Sequence, residues 1–213
     1  MLYFSSKWRV LVQGLYLAGC ILLAGTVLAG CGNKAYKVRG NEVTVAVAQP
    51  QEGEATKIRI QVLGDKLLRI SGTPDGKFHD RKSLVVLPQE AYKEFTVTAG
   101  SGEETGAVRV QTPACAVVVR PDGSLWHFDE KGDLLQGDGH LTFTPIEVEG
   151  KKAWSVGLQY GVGGKNESFY GLGQHQAGEF DHKGRSEELF QYNTKVSVPF
   201  VVSTGGYGLL FDA

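Results

Sequence analysis

Three neutral hydrogen-bonding side chains in a row, Gln174, His175 and Gln176, follow the glycine pair Gly171 and Gly173. Their types and spacing suit a chemical task better than any other run in the chain. Amide and imidazole groups exchange hydrogen bonds with sugar hydroxyls without burying a charge, although His175 equally suits tying down the turn after a strand. Two glycines two apart permit positive φ and close approach of another backbone. The pattern is no nucleotide loop: a dinucleotide fingerprint opening at Gly171 needs its third glycine where Gln176 stands, and no phosphate-binding lysine follows. Glu179, Asp181, His182 and His175 match no metal-cage spacing, so no metal ligand is assigned.

These residues need elements to hold them, and the pattern around them is of strands. A polar loop covers residues 178 to 188, after which Phe190, Tyr192 and Asn193 return to strand. Val196, Val198, Phe200 and Val202 then alternate with Ser197, Pro199, Val201 and Ser203. Pro199 has no donor for a ladder, so this strand is an edge or carries a bulge. Thr204-Gly205-Gly206 turns it into a last strand, Tyr207-Gly208-Leu209-Leu210-Phe211.

The same alternation fills the chain upstream. Val43, Val45 and Val47, then Ile58, Ile60 and Val62, place their apolar sets on one face at a period of two. Val108 and Val110, residues 115 to 119, Leu141 and Phe143, and Trp154, Val156, Leu158 and Tyr160 repeat it. Pro74-Asp75-Gly76, Pro121-Asp122-Gly123, residues 130 to 133 and Glu149-Gly150-Lys151 read as turns and hairpin ends. A helical turn is expected only between Pro88 and Phe95. Short strands at regular spacing with almost no helix predict an all-β fold, an antiparallel β-sandwich over residues 42–213. His127 and His140 fall in strand patterns, with no second ligand beside them at a metal spacing. The charged run 78 to 84 reads as a solvated loop on composition alone. A net charge of −1 without a basic patch excludes a nucleic-acid partner.

Residues 1–30 form a secretory signal pattern: Lys7 and Arg9, then an almost wholly apolar run. Its length would also allow a membrane anchor. Leu28-Ala29-Gly30-Cys31, followed by polar Asn33 and Lys34, resembles the bacterial lipobox, which makes Cys31 the lipid-bearing residue and 31–41 a tether. The same tetrapeptide ending at Cys20 is rejected, because the apolar run continues past it. Cys115 is then left without an intrachain partner and is expected as a small buried hydrophobe. Gly32 after Cys31 points to the outer membrane, by resemblance to the sorting rule of such lipoproteins.

The segments 169–176, Gln191-Tyr192-Asn193-Thr194, Val198-Pro199-Phe200 and 203–212 resemble the N-terminal domain of glycoside hydrolase family 31, especially bacterial α-xylosidase-like members. Upstream, residues 80–84 resemble the same domain. The resemblance implies a galactose mutarotase-like sandwich, an oligosaccharide substrate and no cofactor. It also implies a retaining α-glycosidase whose two carboxyl groups, about 5 Å apart, lie in a following (β/α)8 barrel. A barrel needs about 250 residues, so none of this chain's carboxylates is assigned as catalytic, Glu179 and Asp181 included. A family loop that reaches over the barrel mouth corresponds to residues within 178–193. Gln174, His175, Gln191 and Asn193 are the expected pocket-facing residues. Many α-glucosidase-like members have an acidic residue in a longer loop before the Pro-Phe strand; here Asn193 runs almost directly into Val198, so no sugar-binding aspartate is carried over. Two readings stay open: the N-terminal part of an exported, lipid-anchored α-glycosidase, or a stand-alone carbohydrate-binding or structural lipoprotein. The uncapped apolar end at Leu209 to Phe211 favours the first.

Overall fold

The computed structural model describes residues 35–79, 82–88, 90–159, 166–175, 178 and 180–212. Cys31 and the leader lie outside them, as do Gln176 and Glu179.

Strands β1 (Tyr36–Arg39), β2 (Glu42–Ala46), β3 (Lys57–Val62) and β4 (Leu68–Thr73) make an antiparallel meander. The next six strands are β5 (Thr96–Ala99), β6 (Val108–Gln111), β7 (Cys115–Val119), β8 (Leu125–Asp129), β9 (Leu134–Val148) and β10 (Lys151–Gln159). They make a second meander, with sequential neighbours paired antiparallel. A third sheet holds β11 (Phe169–Gln174), β12 (Val196–Ser203) and β13 (Tyr207–Leu210), with β12 central.

The period-two pattern settles which faces meet. Val43, Val45, Ile58, Ile60 and Val62 of the first sheet pack in one cluster with Val108, Val110, Val117, Val119, Leu125 and Phe143 of the second. That shared core makes a sandwich, built mainly of β-branched side chains that fit a pleated, buried surface. Tyr36, Tyr92 and Phe95 close over its rim. Residues 36–39, expected as tether, instead form β1, paired with β2 from Tyr36↔Val45 to Arg39↔Glu42, because Tyr36 gains core contact there. The helical turn expected before Phe95 is replaced by irregular chain over residues 90–95, whose aromatic rings are taken up by the core.

Turn chemistry behaves as the residue types dictate. Asp129 Oδ1 accepts from the N–H of Lys131 and Asp133 at 2.9 and 2.8 Å, closing β8 onto β9. Glu149 and Gly150 both take positive φ, 49° and 74°, the twist that a two-residue hairpin between β9 and β10 demands. Cys115 is half-buried, its Sγ 3.4 Å from Asp65 O, and so more open than the small core hydrophobe expected.

His127 of β8 pairs in register with Val117 and Gln136, and its Nε2 is sealed from solvent. Burial disfavours the imidazolium and pushes its pKa from the ordinary 6.5 down to about 4. Unfolding frees the ring to bind a proton, so the contribution of His127 to stability is complete above the ordinary value and is lost as pH falls toward 4. Denaturant unfolding between pH 7 and 4 should lose about 3 kcal/mol from this residue, and His127→Leu should remove that portion of the slope. A variant profile parallel to the wild type would exclude the assignment.

Candidate functional site

The candidate site is built on a β-bulge. Leu172 takes φ 60° between Gly171 at 124° and Gly173 at 105°, and the β11–β12 register slips between the two glycines. A Cβ on Gly173 would lie 2.1 Å from Val196 O, and one on Gly171 2.5 Å from Phe200 O. Glycine is required at both places, by space as well as by φ. Pro199 sits in the slipped stretch of β12, so its missing donor costs no regular ladder bond. Of the two alternatives that proline allowed, the bulge is the one formed.

The bulge aims the end of β11 into the loop of residues 180–193. His175 turns inward: its side chain is 7% exposed, its Nε2 donates to Leu172 O at 2.8 Å, and its Nδ1 lies 2.8 Å from Glu187 Oε1. The Nδ1 contact misses hydrogen-bond geometry and is one of proximity to the carboxylate. Asp181 pins the loop's start, its Oδ1 accepting from the N–H of Phe169 at 2.9 Å and of Lys183 at 3.0 Å. Those backbone donors hold the Asp181 carboxyl below its ordinary pKa. His182 approaches Gly171 O at 3.2 Å and stands edge-on to His175, ring centres 6.1 Å apart.

At the loop's far end, Tyr192 and Lys195 exchange backbone hydrogen bonds, and Ser197 Oγ donates to Phe190 O at 2.8 Å. Phe190 and Tyr192 are about half exposed and stack, centroids 5.4 Å apart and planes 24° from parallel. Lys195 Nζ lies 4.9 Å from the Phe190 ring centre and donates to Glu187 Oε1 at 2.9 Å and Glu188 O at 2.7 Å. That hydrogen bond, then the charges of His175, Lys195 and His182, hold Glu187 below the ordinary glutamate range.

Of the residues expected from sequence, Gln174, Gln191 and Asn193 are exposed around this loop, while His175 lies beneath it. Sequence reasoning missed Glu187, Lys195 and the aromatic pair. The alternating aromatics 190 and 192 were visible and expected as a return to strand, but they form none beyond an isolated Tyr192–Lys195 bridge, and nothing in the spacing of 187 and 195 marks a partnership across a loop. Among the described residues no group of three His, Cys, Asp or Glu side chains is placed to hold a metal ion.

Behind the loop, Glu167 Oε1 accepts from Ser203 Oγ and Tyr207 OH, and Gln136 Nε2 donates to Tyr207 OH at 2.6 Å. This fastens the third sheet to β9. Burial, reinforced by the Glu167 hydrogen bond, pushes the Tyr207 phenol up to about 12, so it remains a donor. A crevice of about 440 Å³ lies alongside, lined by Ile70, His127, Gln136, Tyr207 and Leu209 among others. At its mouth Asp212 accepts from Arg69 at 2.8 Å and Ser83 at 3.0 Å, which gives the segment around residue 83 a structural task beyond that of a solvated loop.

An antiparallel β-sandwich whose third sheet carries a bulged Gly-Leu-Gly strand is consistent with a galactose mutarotase-like domain. The model of the glycosyl hydrolase 31 N-terminal galactose mutarotase-like domain matches residues 57–213, and the chain belongs to that family. It is 52% identical over 177 residues to an uncharacterized family 31 glucosidase (ORF2) of Pseudescherichia vulneris, covering 73% of this chain and 32% of that protein. It is 30% identical over 165 residues to an α-xylosidase of Saccharolobus solfataricus, covering 73% of this chain and 22% of the other. The crystal structure of a family 31 α-xylosidase from Xanthomonas citri superposes with a TM-score of 0.73 at 33% identity, over 83% of this chain and 19% of that one. The chain thus spans between a fifth and a third of the length of these curated relatives.

Proposed function

We propose that the chain is the N-terminal domain of an exported, lipid-anchored retaining α-glycosidase, acting on α-xylosidic or α-glucosidic oligosaccharides with carboxylates from a catalytic domain that packs against it. The observation that carries this is the outward face of the third sheet. Tyr170, Val196, Val198, Phe200, Val202 and Leu210 are each between 41 and 50% exposed. The register puts Tyr170 beside Val202 and Phe200 beside Leu210, so they form one apolar surface. Surfaces of this kind mark docking sites rather than solvated faces. The loop of residues 180–193 rises beside it, and Gln174, Gln191 and Asn193 then supply neutral hydrogen bonds to sugar hydroxyls while Phe190 and Tyr192 offer aromatic faces to sugar C–H groups.

The lipid anchor rests on the lipobox-like run ending at Cys31. Both parts are tested in one experiment on the native gene. The purified 213-residue chain is expected to hydrolyse neither aryl α-xyloside nor aryl α-glucoside. The product of the full reading frame should hydrolyse one of them, and should take up radiolabelled palmitate from the native gene but not as Cys31→Ser. Turnover by the 213-residue chain would refute the placing of catalysis in another domain; equal palmitate labelling of the native protein and the variant, or none in either, would refute lipidation at Cys31.

A further inference from the structure

We propose that Glu187 is the positioning residue of the sugar-facing loop, a carboxylate strap that fixes the stacked Phe190 and Tyr192 rings by engaging Lys195 and His175 at once. The sugar-facing part rests on the function proposed above; the strap itself does not. One oxygen, Oε1, makes both contacts, 2.9 Å to Lys195 Nζ and 2.8 Å to His175 Nδ1. Each partner sits on a different strand end: His175 just past β11 and Lys195 just before β12. Glu187 lies between them in mid-loop, where residues 180–191 form no regular strand.

The pairing is enclosed enough to matter. The side chains of His175, Lys195 and Glu187 are 7, 11 and 22% exposed, so solvent and salt screen them less than a surface pair. Lys195 passes the restraint on: the same ammonium that Glu187 holds is the cation lying over the Phe190 ring, and that ring stacks on Tyr192. Without the carboxylate, Lys195 keeps the Glu188 carbonyl but loses its anionic partner, and His175 loses its contact with the middle of the loop.

Proton uptake should release the strap. The titratable groups facing Glu187 are Lys195 from the start of β12, His175 from the end of β11 and His182 from the loop itself. All three favour the carboxylate. Since the folded-state value is lowered, the strap is complete above the ordinary glutamate range and is lost as pH falls through the lowered value. At neutral pH the loop is held; in acid it is let go.

The test uses the 213-residue chain and its Glu187→Gln, Glu187→Asp and Glu188→Gln variants, followed by amide hydrogen exchange across residues 180–193 and by the Tyr192 ring resonances. Glu187→Gln should exchange at least about tenfold faster in the loop and move the Tyr192 signals, with the global unfolding midpoint within about 2 °C of wild type. Glu187→Asp should restore part of the protection, and Glu188→Gln should behave as wild type. Unchanged exchange and ring signals in Glu187→Gln, or equal loosening in Glu188→Gln, would overturn the strap. Adding a millimolar α-xylosyl disaccharide separates the two readings. Tyr192 signals that respond in wild type and less in Glu187→Gln support the sugar-facing loop. Loosening by Glu187→Gln with no response in wild type rejects the sugar-facing reading and leaves the strap standing.

Discussion

Alanine at Gly173 is expected to cost about 3 kcal/mol or more, lowering the thermal midpoint by roughly 10 °C. The added methyl would meet Val196 O at 2.1 Å, and a φ of 105° is one that side-chain-bearing residues rarely adopt. Relief requires β11 to leave β12 at the bulge. Because Gln174 and His175 follow directly, local damage should reach the loop they support: hydrogen exchange over residues 180–193 should quicken along with the loss of stability. Gly178→Ala is the matched control. No atom lies within 4 Å of where its Cβ would stand, so it should stay within about 0.5 kcal/mol of wild type. Equal stability of the two variants would show that the bulge does not depend on glycine.

Glu167→Ala should destabilise the chain by about 3 kcal/mol, since hydrogen bonds to a charged group contribute more than neutral ones and their loss strands partners. Glu167 is 6% exposed, and its two donors, Ser203 and Tyr207, belong to the β12–β13 hairpin. Tyr207→Phe removes one donor and also strips Gln136, itself 5% exposed, of its partner. Residues sharing one network do not act independently. Urea unfolding of the two single variants and the double variant should show a double loss smaller than the sum of the singles, by about 1 kcal/mol or more. Strict additivity would break the network into unrelated contacts. Unlike Gly173→Ala, neither substitution clashes with backbone, so the damage should fall on docking of the third sheet and leave the first-sheet and second-sheet pairing intact.

Much of the sandwich was legible because a strand's two faces repeat every second residue. Val43 and Val45, Ile58 and Ile60, and Val108 and Val110 could be assigned inward by alternation, and all six are buried. Alternation is silent on whether an apolar face meets the core or another body. Val196, Val198, Phe200 and Val202 have the same pattern as Val43 to Val47, yet they stand on the outward face. Local pattern also could not foresee that Tyr36 would draw the supposed tether into the first sheet. That gain comes from contacts with residues far along the chain.

The sequence by itself determined the strand pattern, the turns, the glycine pair and the family resemblance, because each is written in residue types only a few positions apart. Tertiary structure alone decided the side-chain partnerships: His175 beneath the loop, Glu187 between His175 and Lys195, and Glu167 joined to Ser203 and Tyr207. Those pairs are between 8 and 40 residues apart. At such separations chain connectivity fixes no distance, and only the packing of the sheets brings the groups within reach.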